Sequence, residues 1–130
     1  MPGLERAVRQ AFESIHDRTF RGDPAANPRL RVEVVAAALA EDTPAVVILT
    51  PWTCNGLAFP PDGTFPHELE IAGKPRPARP IVLPELGRFW SVNLIPDVSR
   101  LDTQHRAVAL ASSWAEPWAD AVRHARRQPA

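Results

Sequence analysis

Seven prolines fall between residues 60 and 84, and they decide what the middle of this chain is not. Proline lacks a backbone N–H and its ring clashes with the preceding helical turn, so no helix can cross this stretch. Pro60-Pro61-Asp62-Gly63 forces a turn. His67–Ile71 reads as a short edge strand, and Gly73–Arg79 as a loop or an extended arm. Helices must therefore lie at the two ends.

The periodicities agree. Leu4, Val8, Phe12 and Ile15 recur at helical spacing with Ala7 and Ala11 beside them, which predicts an amphipathic helix over residues 4–16. Both prolines in Arg21–Pro28 restrict their preceding residues and mark a loop. Leu30, Val32 and Val34 alternate with Arg29, Arg31 and Glu33, so residues 29–39 read as a strand with one wet face. Glu41–Pro44 is a connection. Residues 45–50 read as a second strand without alternation, with Ala45–Leu49 all apolar, as a central strand would be. The pair suggests an antiparallel hairpin. Leu57–Phe59 reads as a third strand after a turn or bulge at Asn55-Gly56. Phe89, Ser91, Asn93 and Ile95 alternate with Trp90, Val92 and Leu94, which is a strand again.

The closing element starts at a Ser-x-x-acid pattern, Ser99 to Asp102, with Asp102 a second candidate cap. Ala107, Ala111, Trp114, Trp118, Val122 and Ala125 then keep helical spacing. Pro117 should kink or split this helix. Arg123, Arg126 and Arg127 suit the negative end of its dipole. The order helix, strands, helix predicts an α+β fold: an antiparallel β-sheet packed against an N-terminal and a C-terminal helix.

Composition narrows the function. At 130 residues the chain has the length of one domain (1–130, core about 4–125), and 45% hydrophobic residues suit a folded one. Fifteen basic residues cancel fifteen acidic ones, which argues against nucleic acid as partner. Lys74 is the only lysine, and arginine suits contacts between proteins. No apolar run is long enough for a membrane span, and charges stand where a signal peptide would carry its apolar segment. A cytoplasmic location is expected.

The distinctive stretch is Leu49–Gly63, where a buried strand runs into Pro51-Trp52 and the chain's single cysteine, Cys54. A thioredoxin-type motif needs a second cysteine at position 57, which is leucine. Four histidines lie in four different elements, so no base is visibly paired with the thiol. No zinc pair, calcium loop or glycine-rich phosphate loop is present, and neither metal nor cofactor is expected. Glu68 and Glu70 share a strand face and read as solvated charges. Trp114 and Trp118 read as core. Trp52 is open to two readings, packing or a half-exposed anchor for a partner. A small thiol-dependent or hydrolytic enzyme using Cys54, and a generic structural subunit of a larger complex, remain the alternatives.

Two motifs carry a resemblance. Asn27-Pro28-Arg29-Leu30-Arg31-Val32-Glu33, followed by Leu49-Thr50-Pro51-Trp52-Thr53-Cys54-Asn55 and Phe59-Pro60, is similar to the HybE/HupJ family of [NiFe]-hydrogenase assembly chaperones. Leu83–Gly87, the aromatic strand and the alanine-rich last helix follow in the order of that family. The resemblance covers roughly residues 4–125, with Cys54 at a position where the family pattern has methionine. It implies a non-enzymatic chaperone that reversibly binds a hydrogenase large or small subunit or its precursor. The expected binding surface is Trp52, Thr53, Cys54, Asn55 and Phe59, with Phe89 and Trp90 from the aromatic strand.

Overall fold

The computed structural model describes residues 2–128. Helix α1 (Pro2–Ile15) runs into one π-helical turn (His16–Phe20). Six strands follow: β1 (Glu33–Ala40), β2 (Thr43–Leu49), β3 (Cys54–Ala58), β4 (Glu68–Ile71), β5 (Lys74–Leu83) and β6 (Gly87–Ile95). Helices α2 (Gln104–Ser112) and α3 (Ala115–Arg127) close the chain. The strands form one antiparallel sheet in the order β1-β2-β3-β6-β5-β4. The expected α+β architecture is what the chain adopts.

The sheet has a helical layer on each side. On one face Val8 and Phe12 of α1 pack with Val46, Ile48, Leu57 and Phe89. On the other, Trp118 and Val122 of α3 and Ala107 and Ala111 of α2 pack with Val47, Leu49, Cys54, Val92 and Leu94. β2 supplies both cores, which explains its unbroken apolar run. Each large side chain so buried contributes roughly 1.5–3 kcal/mol. Gly56 of β3 is what lets α3 approach. A Cβ there would lie 2.5 Å from two ring carbons of Trp118, whose indole Nε1 donates to the Leu57 carbonyl at 3.1 Å.

Four local expectations change. Residues 29–32 lie outside the ladder, because the Gln104 side chain takes both the N–H and the carbonyl of Arg31. Asn55-Gly56 is no turn but the body of β3; the turn sits at Thr50–Thr53, ahead of the Leu49–Cys54 pair. The bulge lies between Cys54 and Asn55 in the pairing with β6. Helix α2 is capped by Thr103, whose hydroxyl accepts from the Arg106 N–H at 3.1 Å, and neither Ser99 nor Asp102 holds that position.

The fourth change concerns Gly73–Arg79, read as a loop or an extended arm: it is extended, with residues 74–79 forming the first part of β5. Ala72 and Gly73, both with positive φ, turn β4 into it. Its prolines are tolerated because β5 pairs with β4 over residues 74–77 and with β6 over 78–83. Ala78 donates to the His67 carbonyl, so by alternation Pro75 and Pro77 turn their nitrogens away from β4. The register would set Pro77 opposite Asn93, and there Arg76 Nη1 donates to the Asn93 and Leu94 carbonyls instead. Pro117 splits the last helix as expected. It sits in the first turn of α3, where no intrahelical bond is lost.

Candidate functional site

The Thr50–Thr53 turn is built by its own side chains. The Thr50 hydroxyl donates to the Thr53 carbonyl and accepts from the Thr53 N–H, both at 2.9 Å. Thr53 is buried, and its hydroxyl accepts from Asn93 Nδ2 at 2.9 Å. That hydroxyl lies within reach of the Ile95 carbonyl at 3.2 Å and the Asn55 amide oxygen at 3.3 Å. A small polar network thus joins the turn to β3 and β6.

Trp52 projects from this turn and is half-buried. Its ring lies parallel to Phe20, centroids 4.2 Å apart and planes 8° apart, with His16 stacked at 6.1 Å. The π-helical turn after α1 sets those two rings against the indole. Such turns occur often at functional sites. Asn27, buried beneath, donates through its backbone to the Pro51 carbonyl and through Nδ2 to the carbonyls of Val98 and Leu101. The two motifs meet here in space.

Period two sorts the remaining expected residues by face. Asn55 of β3 and Phe59 just after it share the α1 side of the sheet with Phe89, Ser91 and Asn93 of β6, and the Phe59 and Phe89 rings lie 5.2 Å apart. Helix α1 does not reach across this whole face. Asn93, Arg79 and Pro77 are exposed on its far half. Cys54 and Trp90 face the other way, into the α3 core. Trp90 packs against Phe65 and His67 and donates through Nε1 to the Gly63 carbonyl at 3.1 Å. Of the seven residues expected to form a surface, only Trp52, Asn55 and Phe59 are partly open. Thr53 is buried in the turn, Phe89 under α1, and Cys54 and Trp90 in the α3 core, because the helical layers cover both faces there.

The thiol itself is fully buried. Burial pushes it up to about 12, and no neighbouring charge pulls it back. At neutral pH it is a protonated, enclosed group, which removes the nucleophile from the thiol-enzyme alternative. Among the described residues no group of three or more His, Cys, Asp and Glu side chains is placed to hold a metal ion. No helix of the described residues is long and apolar enough to cross a membrane.

Residue reasoning missed His16, Phe20, Asn93 and Arg79 as members of this surface. Asn93 and Ser91 were findable, since they alternate with Phe89. The i, i+4 spacing of His16 and Phe20 past the helix end was the available signal for the stack.

Fold and site together define a small α+β protein whose partly exposed distinctive residues, Trp52, Asn55 and Phe59, lie on the α1 side of an open sheet. The family model described as "[NiFe]-hydrogenase assembly, chaperone, HybE" matches residues 4–129, nearly the whole chain. The chain belongs to this family of hydrogenase assembly chaperones. Neither the curated proteins nor the solved structures yielded a match.

Proposed function

We propose that this chain, acting as a single domain over residues 1–130, reversibly holds a [NiFe]-hydrogenase subunit or its precursor during assembly. It does so in the cytoplasm, without catalysing a reaction and without a cofactor. The observation that carries this reading is the family match over residues 4–129. Two features of the geometry support it: the aromatic ring of Trp52 is partly open to solvent, and the one thiol near it is enclosed. The proposed binding surface comprises Trp52, Asn55 and Phe59, with Asn93, Ser91 and Arg79 as its polar continuation, while Phe89, buried under α1, supports Phe59 from within the core. Thr53 holds it in place, and Cys54 and Trp90 support it from the opposite face.

The test is capture of each hydrogenase subunit separately by the tagged chain, expressed in a host carrying the hydrogenase operon. Recovery of one subunit from immature but not mature enzyme is expected. Stoichiometric retention in the mature enzyme would instead mark a structural subunit. Recovery of neither, with normal hydrogenase activity in a deletion strain, would sink the reading.

A further inference from the structure

The two edges of the sheet are treated very differently. β4 has four residues, carries Glu68 and Glu70, and follows Pro66. Short length, charge and proline all discourage a further strand from pairing there. β1 has eight residues, and from Val34 to Ala40 it contains no charge and no proline. Among the described residues it pairs only with β2. Leu39, at this bare edge, is 61% exposed.

The ladder shows which groups that edge offers. Ala40 pairs with Thr43 across the two-residue turn Glu41-Asp42, so their bonds point into the hairpin. Pro44, opposite Leu39, turns its carbonyl to the N–H of Phe59, just past β3, and not to β1. By alternation, the N–H and carbonyl of Ala37 and Leu39 point away from the sheet. Beside them lies a groove of about 230 Å³, floored by Ala36, Ala38, Ala45 and Val47 and walled by Trp118 of α3. Its rim carries one acid and one base, Glu116 and Arg123, which leaves no net charge to attract a charged segment.

We infer that β1 receives an extended, uncharged segment of the hydrogenase partner as a seventh strand, with a small aliphatic side chain in the alanine-floored groove. Strand addition draws affinity from main-chain bonds and selectivity from the adjoining groove. It suits a chaperone, because a segment not yet in its final place still has its backbone groups free. This inference rests on the proposed partner but uses a surface separate from the Trp52 face.

The test compares the unchanged chain with Ala37→Pro and with Leu39→Arg in capture of the separately expressed subunits. Proline at 37 removes an outward N–H and spares the β1–β2 bonds, so circular dichroism should show the fold intact. Capture is expected to fall roughly tenfold or more in both variants. In the complex, amide hydrogen exchange at Ala37 and Leu39 should slow. Equal capture by folded variants, with unchanged exchange at both amides, overturns the inference while leaving the partner reading standing. A concentration-dependent dimer of the isolated chain, abolished by Ala37→Pro, would assign the edge to a second copy and overturn it too. Capture of neither subunit by the unchanged chain sinks the partner reading and this one with it.

Discussion

The backbone N–H of Asn27 donates to the carbonyl of Pro51 at 2.7 Å, and this bond joins the two motifs that mark the chain. Asn27 is 4% exposed, and its side chain uses both ends. Nδ2 donates to Val98 and Leu101, while Oδ1 accepts from the Arg29 N–H at 3.0 Å. One residue thus fixes the loop before β1, the turn before β3 and the loop before α2.

Asn27→Ala keeps the backbone bond but leaves two carbonyls and one N–H short of a partner. At about 1 kcal/mol per lost bond, the unfolding free energy should fall by roughly 2–4 kcal/mol. Urea denaturation with an unchanged m-value reads this directly. A loss below about 0.5 kcal/mol would show that water replaces the amide at no cost.

Gly56→Ala should be among the most damaging single-methyl additions in the protein. The new Cβ meets Trp118 ring carbons at 2.5 Å, and that indole is 1% exposed and bonded to Leu57. Overpacking of this kind costs about 1–3 kcal/mol, with more if the indole bond breaks. Trp118→Phe removes part of the clash. The double variant should therefore lose less than the sum of the single losses, and strict additivity would contradict the contact.

Cys54 should be inert in the folded protein and react only on unfolding. Enclosure and a thiol pushed up to about 12 leave almost no accessible thiolate at pH 8. Labelling with a thiol reagent should follow the unfolding curve in urea. Rapid labelling of native protein would return a chemical role to this residue. Because the unfolded thiol ionises near its ordinary 9.0, stability should also decline as pH rises from about 9 towards 12.

Much of the fold was legible because each core face follows its period. The helical spacing of Leu4–Ile15, the alternation of Phe89–Ile95 and the unbroken apolar β2 all lie where those patterns place them. β5 was not legible, since prolines at 75, 77 and 80 argue against a strand unless its pairing changes sides midway. The Thr103 cap was hidden by a better-matching Ser99–Asp102 pattern upstream. At the site, the motif located the turn, but only the structure separates Trp52 and Asn55 from Cys54 and Trp90. That division depends on β3 beginning at Cys54, and a strand begun at Leu57 leaves the face of Cys54 undefined. The meeting of Asn27 with Pro51, and of His16 and Phe20 with Trp52, are long-range contacts that local patterns do not encode.

Acid should weaken the attachment of α3. Arg126, with 11% of its side chain exposed, bonds Asp42 in the β1–β2 turn and Asp62 in the loop before β4. The Arg126 guanidinium, with help from the Thr43 hydroxyl, lowers Asp42 from 3.8 to about 2. Asp62 is lowered too, first by the Thr64 N–H and then by Arg126. A carboxyl held below its unfolded value stabilises the fold above that value and stops doing so as pH falls through the folded one. Thermal stability should therefore drop between about pH 4 and 2, with a shallower drop in Asp42→Asn. Identical acid profiles for both proteins would show that the clamp adds nothing.

Trp52 is where stability and binding can be separated. Its ring is half-buried against Phe20 and His16, so part of it serves packing and part faces outward. Trp52→Ala loses the stack and should lower the melting temperature, since an aromatic pair is worth about 0.5–1.5 kcal/mol beyond its burial. Trp52→Phe keeps a ring against Phe20 and should melt close to the unchanged chain. For subunit capture the order differs. An indole anchoring a partner at an interface commonly contributes about 2 kcal/mol or more, so Trp52→Phe should weaken capture roughly 30-fold despite its intact fold. Calorimetric titration of the captured subunit against both variants reads the two effects apart. Full affinity in Trp52→Phe would restrict this tryptophan to packing, and the binding face would then begin at Asn55 and Asn93.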